Sequence, residues 1–459
     1  MTIHNEERIM IRVGLLTMSR KRPGFDMDWG NDMHQGVLRQ LEASGFELTV
    51  PETRIVDDAS LRAALQECDQ ARADVLVVIQ PTMSDGNLGV TIAQHAKTAV
   101  ILWATPEKQD GDMISSCSLV GAHTFGSTLR LMNQPFELVY GMPGEPDTVE
   151  QLSKAVRLSA AARIMRSGKI GLVGNHAPGF IDMHASPWQT MRQLGVQLRH
   201  FSIEEYMAAA REMEAGRVQD DIEIIRGMSL PLKDIEEKDL DTAARLHLAM
   251  RDLIANESLN ALAVRCWPEL PQVMGQWPYL GMARLSEDEF PVACEGDVDG
   301  ALSLWMGTLL GFGPGYLSDW LEHDDECVTL WHAGNAPFAL LQPAEREDGP
   351  RLARHFNDRK PAVVEGTLTP GMPVTIFRLW SCDDTYHVAA LEGQTETPRR
   401  PLMGTNGLAR IDGGNVKQRF RTMLHAGMPH HVAVFKGHCS AMLQRFARLM
   451  TIKWLELTQ

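Results

Sequence analysis

The stretch ADVLVVIQPTMSDGNLGVTIAQHAKTAVILW, residues 73–103, decides the fold class. Its ends, Ala73 to Ile79 and Thr98 to Trp103, are continuous apolar runs, and the segment around Val90 to Ala96 between them has helical composition. Unbroken apolar strands joined through a helix are expected to lie parallel in a sheet that is covered on both faces. Upstream, Ile11 to Leu16 is a further short apolar run and Trp29 to Ser44 a helix-like segment, which extends the alternation. Downstream, GMPGEPDT at 141–148 is rich in proline and glycine and reads as a domain boundary.

The alternation then restarts. The pattern predicts a helix over Val149 to Ser167, a strand over Lys169 to Gly174 and a helix beginning at Trp188 to Leu194. An amphipathic helix follows over Asp239 to Asn256, then a buried strand at Ala261 to Cys266 and a helix over Asp299 to Leu310, stopped by Gly311-Phe312-Gly313-Pro314-Gly315. From Tyr316 the character changes. Short strands are predicted at Val328 to His332, Ala362 to Thr367, Val374 to Leu379, His387 to Leu391 and Leu408 to Ile411, then a helix over Cys439 to Met450 and a last strand near Trp454. The expected fold is α/β: two Rossmann-like, doubly wound α/β domains over 1–148 and 149–315, then a β-rich, barrel-like domain over 316–459.

Composition narrows the function. In 459 residues, 44% hydrophobic and 22% charged content is that of a folded globular chain, and a formal charge of −15 argues against nucleic-acid or anionic-membrane partners. No apolar run approaches the roughly 18–20 residues of a membrane span, and the polar stretch from Met1 to Arg12 lacks the core of a secretory leader. Seven scattered cysteines, an odd number with no CxxC pair, fit a reducing compartment, so a cytoplasmic protein is expected.

Four segments place polar, metal-competent groups near predicted strand ends, where ligands of parallel sheets bind. Glu269 follows the strand that ends at Arg265-Cys266-Trp267-Pro268, and alone it reads as a solvated loop residue. Cys294-Glu295-Gly296-Asp297 ends a short apolar run. Asp297 or Asp299 reads as the N-cap of the next helix, whereas an ionised Glu295 beside an apolar strand needs a metal or a cationic partner. Asp319, after the glycine-rich turn, is ordinarily a turn or cap residue. His430 and His431 precede a strand-like Val432 to Phe435, and alternation there lets at most one of them face a given site easily. His332 reads more simply as a core histidine, and His184 and the run Arg20-Lys21-Arg22 carry less weight still. The absence of GxGxxG, P-loop, GxSxG and HExxH motifs leaves carboxylate–histidine metal chemistry as the best supported class.

The run Cys294-Glu295-Gly296-Asp297-Val298-Asp299-Gly300-Ala301-Leu302, followed by Tyr316-Leu317-Ser318-Asp319, resembles the L-fucose isomerase and L-arabinose isomerase superfamily. The resemblance runs over most of the chain in the same three-domain order, is strongest over 262–319 and 427–435, and is faint in the first 150 residues. Asp319 stands 24 positions beyond Glu295, the interval of the fucose branch. The resemblance implies a metal-dependent aldose–ketose isomerase acting through an enediol. Glu295 and Asp319 are its catalytic carboxylates and ligands, with His431 the third ligand and His430 the fallback. With arabinose isomerases as the guide, His332 becomes a fourth ligand. Ala177-Pro178-Gly179-Phe180 resembles a stretch near the family's substrate pocket, and Trp267, Glu269, Tyr316, His332, His184 and Arg20 are the expected substrate contacts. Mn²⁺ is the expected ion, with Mg²⁺ or Co²⁺ as substitutes. A homo-oligomer, trimer or hexamer, and a small sugar as the only other partner complete the expectation. The family includes sulfoquinovose isomerases, so an anionic sugar accepted by Arg20, Lys21 or Arg22 is the second reading; a non-catalytic sugar sensor is the third.

Overall fold

A computed structural model describes residues 10–19 and 25–457. They fall into two compact units: the described residues up to Ile164 together with Arg448–Thr451, and Met165–Ala447 together with residues 452–457. Among the described residues no helix is long and apolar enough to cross a membrane.

The first unit carries a wholly parallel sheet of β1 (Arg12–Thr17), β2 (Glu47–Thr49), β3 (Val75–Ile79), β4 (Ala99–Ala104) and β5 (Phe136–Tyr140), in the order β2-β1-β3-β4-β5. β3 and β4 are buried at every position. Alternate side chains enter two cores: Leu16, Leu76, Val78 and Leu102 go to one face, and Leu15, Val77, Ile101 and Trp103 to the other. Because both faces need apolar residues, the sequence shows runs rather than alternation.

The second unit begins with a parallel sheet of β6 (Lys169–Val173), β7 (Gln197–Phe201), β8 (Ala261–Val264) and β9 (Val292–Ala293), ordered β7-β6-β8-β9. It continues with β10 (Tyr316–His323), β11 (Cys327–His332), β12 (Arg351–Ala353), β13 (Val363–Thr367), β14 (Pro373–Cys382), β15 (Thr385–Glu396), β16 (Thr405–Ile411), β17 (His431–Lys436) and β18 (Lys453–Trp454). Six of these close a barrel in the order β16-β11-β10-β17-β14-β15, with β15 pairing back onto β16. β12 and β13 extend it from β16, and β18 extends it from β15. The helix Val298–Leu309 runs from the parallel sheet to the barrel and is buried from Val298 to Gly307, which explains its apolar residues on every side.

Some elements differ from expectation. Tyr316–His323 is a strand, where the sequence suggested a turn around Asp319. Ala215–Gly227 and Val416–His425 are helices that the apolar pattern does not announce, the latter because Lys417, Arg419 and Arg421 dilute it. The edge strands β5 and β7 are exposed at alternate or most positions and so lack an apolar run.

Candidate active site

The site grows from one cross-strand pair and one turn. β10 and β17 are antiparallel with Asp319 opposite His431, which puts both side chains on one face. His431 is fully buried, and its Nε2 lies 3.5 Å from Asp319 Oδ1 and 3.5 Å from Glu295 Oε2. Glu295 arrives from the turn after β9. Its φ of +60° is left-handed, a conformation that costs a non-glycine on the order of 1 kcal/mol or more. Gly296 follows at +70°, and a Cβ there would meet the Asn175 carbonyl oxygen at 2.2 Å, so only glycine fits. The turn is pinned on both sides: Ala177 N–H donates to the Glu295 carbonyl at 2.8 Å, and Glu295 N–H donates to Cys266 Sγ at 3.4 Å.

The Glu295 carboxylate is 12% exposed and ringed by donors. The Trp267 indole N–H donates to Oε1 at 2.9 Å, and His430 Nε2 stands 3.7 Å from Oε2. Burial opposes ionisation, but the contact from His430 and the neighbouring imidazoles outweigh it and hold the carboxyl at about 2. His430 is in turn 2.8 Å from Asp182 Oδ2 through Nδ1 and 3.8 Å from Asp319 Oδ1 through Nε2. Burial works against its charge, yet Glu295 and Asp182 push it up to about 9, so it is cationic at neutral pH. Phe180 packs on His430 at 4.8 Å and edge-on against Trp267 at 5.8 Å, forming an apolar wall.

These residues suit a cation. Glu295 Oε2 and Asp319 Oδ1 each lie 3.5 Å from His431 Nε2, so two carboxylate oxygens and one imidazole nitrogen converge. His431 Nε2 is buried without a hydrogen-bond partner, an expensive arrangement unless that nitrogen has a ligand to bind. One imidazole lone pair between carboxylate oxygens is a donor set for a hard or borderline divalent ion.

No protein-family model matches the chain. Its curated relatives are sulfoquinovose isomerases. Those of Priestia aryabhattai and Alkalicoccus urumqiensis are each 25% identical, over 94% and 98% of this chain and 96% and 100% of theirs. That of Clostridium sp. (strain MSTE9) is 24% identical over 94% of this chain and 96% of its own. Near full-length similarity on both sides supports the isomerase expectation drawn from residues 294–319. Among solved structures, a carbohydrate transporter from Acidothermus cellulolyticus in complex with myo-inositol matches 65% of this chain and 86% of its own at 14% identity, with a TM-score of 0.18.

The structure brings Glu295, Asp319, His431, His430 and Trp267 together. The expectation that only one of the paired histidines faces the site is corrected: both Nε2 atoms approach Asp319 Oδ1, at 3.5 and 3.8 Å. The reason is that β17 begins at His431, so strand alternation does not bind His430. His332 is near, its ring 5.4 Å from that of His431, but both its nitrogens are engaged. Ala333 N–H donates to Nδ1 at 2.8 Å, so Nε2 carries the proton toward Cys294 Sγ at 3.0 Å.

Three expected substrate contacts are placed otherwise. Glu269 is paired with Arg265 at 2.6 Å, and Tyr316 is fully buried with its hydroxyl donating to the Thr405 carbonyl at 3.3 Å. His184 is exposed, and its ring contact is with His176 at 6.3 Å. Arg20 lies outside the described residues, as do Lys21 and Arg22. Sequence reading missed Asp182 and Arg378; only the position of Asp182 beyond the carboxyl end of β6 could have marked it.

Proposed function

We propose that the chain interconverts an aldose and a ketose by proton transfer between C1 and C2, with a divalent cation held by Glu295, Asp319 and His431. It is a sugar isomerase. The observation that carries this reading is the buried, unpartnered His431 Nε2 facing two carboxylates. When bound, Mn²⁺, or Mg²⁺ or Co²⁺ in its place, would polarise the sugar carbonyl and chelate the two adjacent oxygens.

The chain's own residues then move the protons. Glu295 and Asp319 act as the base and acid of an enediol route, a task that needs two carboxylates in unlike environments. Trp267 and His430 keep Glu295 ionised and aimed at His431. His430 holds a proton within 3.8 Å of both carboxylates. Phe180 and Trp267 exclude water from one side of the site.

An anionic sugar of the sulfoquinovose type is the substrate we favour, on the strength of the relatives' activity. The test is turnover of sulfoquinovose, L-fucose and D-arabinose by the purified, Mn²⁺-loaded chain. Preference for sulfoquinovose supports the reading, preference for L-fucose moves the substrate to the neutral-sugar branch, and no ketose from any of them removes the function.

A further inference from the structure

Asp297 is the N-cap of the helix Val298–Leu309, its Oδ1 accepting Gly300 N–H at 2.8 Å. A cap carboxylate ordinarily sits at the surface, but this one is completely buried, and so is Arg378 of β14. The two form a forked pair, Arg378 Nη1 donating to Oδ2 at 2.6 Å and Nη2 to Oδ1 at 2.7 Å. Gly300 leaves room for it, since a Cβ there would stand 2.3 Å from Asp297 Oδ2 and 2.9 Å from Arg378 Nη1. A pair like this is a poor source of stability, because desolvation cancels most of the attraction and apolar replacements often do as well. Capping one helix needs neither the burial nor the arginine.

The fourth donor supplies the purpose. His431 Nδ1 lies 2.9 Å from Asp297 Oδ2, so the carboxylate meets Gly300, both Nη groups of Arg378 and His431, and all its acceptor sites are used. A carboxylate clamped on a guanidinium can only accept, which assigns the proton of this contact to Nδ1 and the lone pair to Nε2. We infer that Asp297, clamped by Arg378, is a positioning residue that fixes the tautomer of His431 and so keeps Nε2 as the lone pair facing Glu295 and Asp319. The inference rests on the reading of Glu295, Asp319 and His431 as the ligands of a cation. An asparagine at 297 has one oxygen where the site asks for two. Its amide group then faces either Arg378 or His431 donor to donor, and the imidazole proton is free to move to Nε2.

The test is Mn²⁺ affinity of the metal-stripped full chain, read by electron paramagnetic resonance of free Mn²⁺, for wild type, Asp297→Asn and His431→Gln. Circular dichroism checks the fold, and ¹⁵N shifts assign the tautomer of His431 in the wild type. His431→Gln should lose Mn²⁺ binding, Asp297→Asn should weaken it by about 10–100-fold, and the wild-type proton should sit on Nδ1. If His431→Gln binds Mn²⁺ like the wild type, the cation site itself is wrong. If His431→Gln loses the ion while Asp297→Asn binds as tightly as the wild type, the positioning role is overturned and the cation site stands. Should Asp297→Asn fail to fold, the tautomer decides: a proton on Nε2 overturns the inference.

Discussion

At Glu295 a left-handed backbone, a mostly buried carboxylate and donors from Trp267 and His430 converge on one side chain. Glu295→Gln and Asp319→Asn should each keep the fold, since neither carboxylate caps a helix, yet lose isomerase turnover by about 10²–10⁴. Steady-state kinetics with circular dichroism on the same samples checks both. Trp267→Phe retains an aromatic wall beside Phe180 but deletes the N–H to Glu295; a hydrogen bond to a charged group is worth ~1.5–3 kcal/mol, which predicts a fall of about tenfold or more in kcat/KM. At this scale Glu295, Asp319 and His431 were singled out by a resemblance to a motif, since residue type alone left each of them an ordinary loop, turn or core reading. Asp182 and Arg378 were not, because their meaning lies in contacts across 248 and 81 positions of sequence.

The turn after β9 and the start of the helix Val298–Leu309 form one element whose parts depend on each other. Gly296→Ala would add a Cβ at 2.2 Å from the Asn175 carbonyl, at a φ of +70°, and should destabilise the second unit by about 2–4 kcal/mol in denaturant melts. One turn further on, Asp299 is buried, accepting from Ser381 N–H at 3.2 Å and contacting the Tyr386 hydroxyl at 3.1 Å. Burial raises its carboxyl to about 6 despite the charge of Arg378. A carboxyl raised in this way contributes stability fully below its unfolded value near 3.9, and loses that stability as pH climbs through about 6. Asp299→Asn should therefore remove a decline in unfolding free energy between about pH 4 and pH 7, read from denaturant melts of both proteins across that range. An unchanged difference between the two proteins across that range would refute the assignment. The strand Tyr316–His323 escaped sequence reading for a related reason. Its buried half, Tyr316 to Ser318, is too short to signal a strand, and its half-exposed remainder places Asp319 where a site needs it.

Over the whole chain, the parallel sheets were legible because burial on two faces demands unbroken apolar runs. The closure of the barrel was not, because the pairing of β15 with β16 that completes it leaves no local trace. The first unit exposes Met113, Ile114, Leu119, Val120 and Leu131 at between 46% and 83% of their surface. We expect such side chains to be covered in a trimer or hexamer, and sedimentation velocity of the full chain should find one; a monomer at micromolar concentration would exclude it. Proton transfer by Glu295 with a cation present is the central step. Incubating the Mn²⁺-loaded chain with sulfoquinovose in deuterium oxide tests it most directly. The predicted result is ketose carrying solvent deuterium at C1, abolished both by chelation and by Glu295→Gln. Ketose formed at the wild-type rate by Glu295→Gln would contradict it.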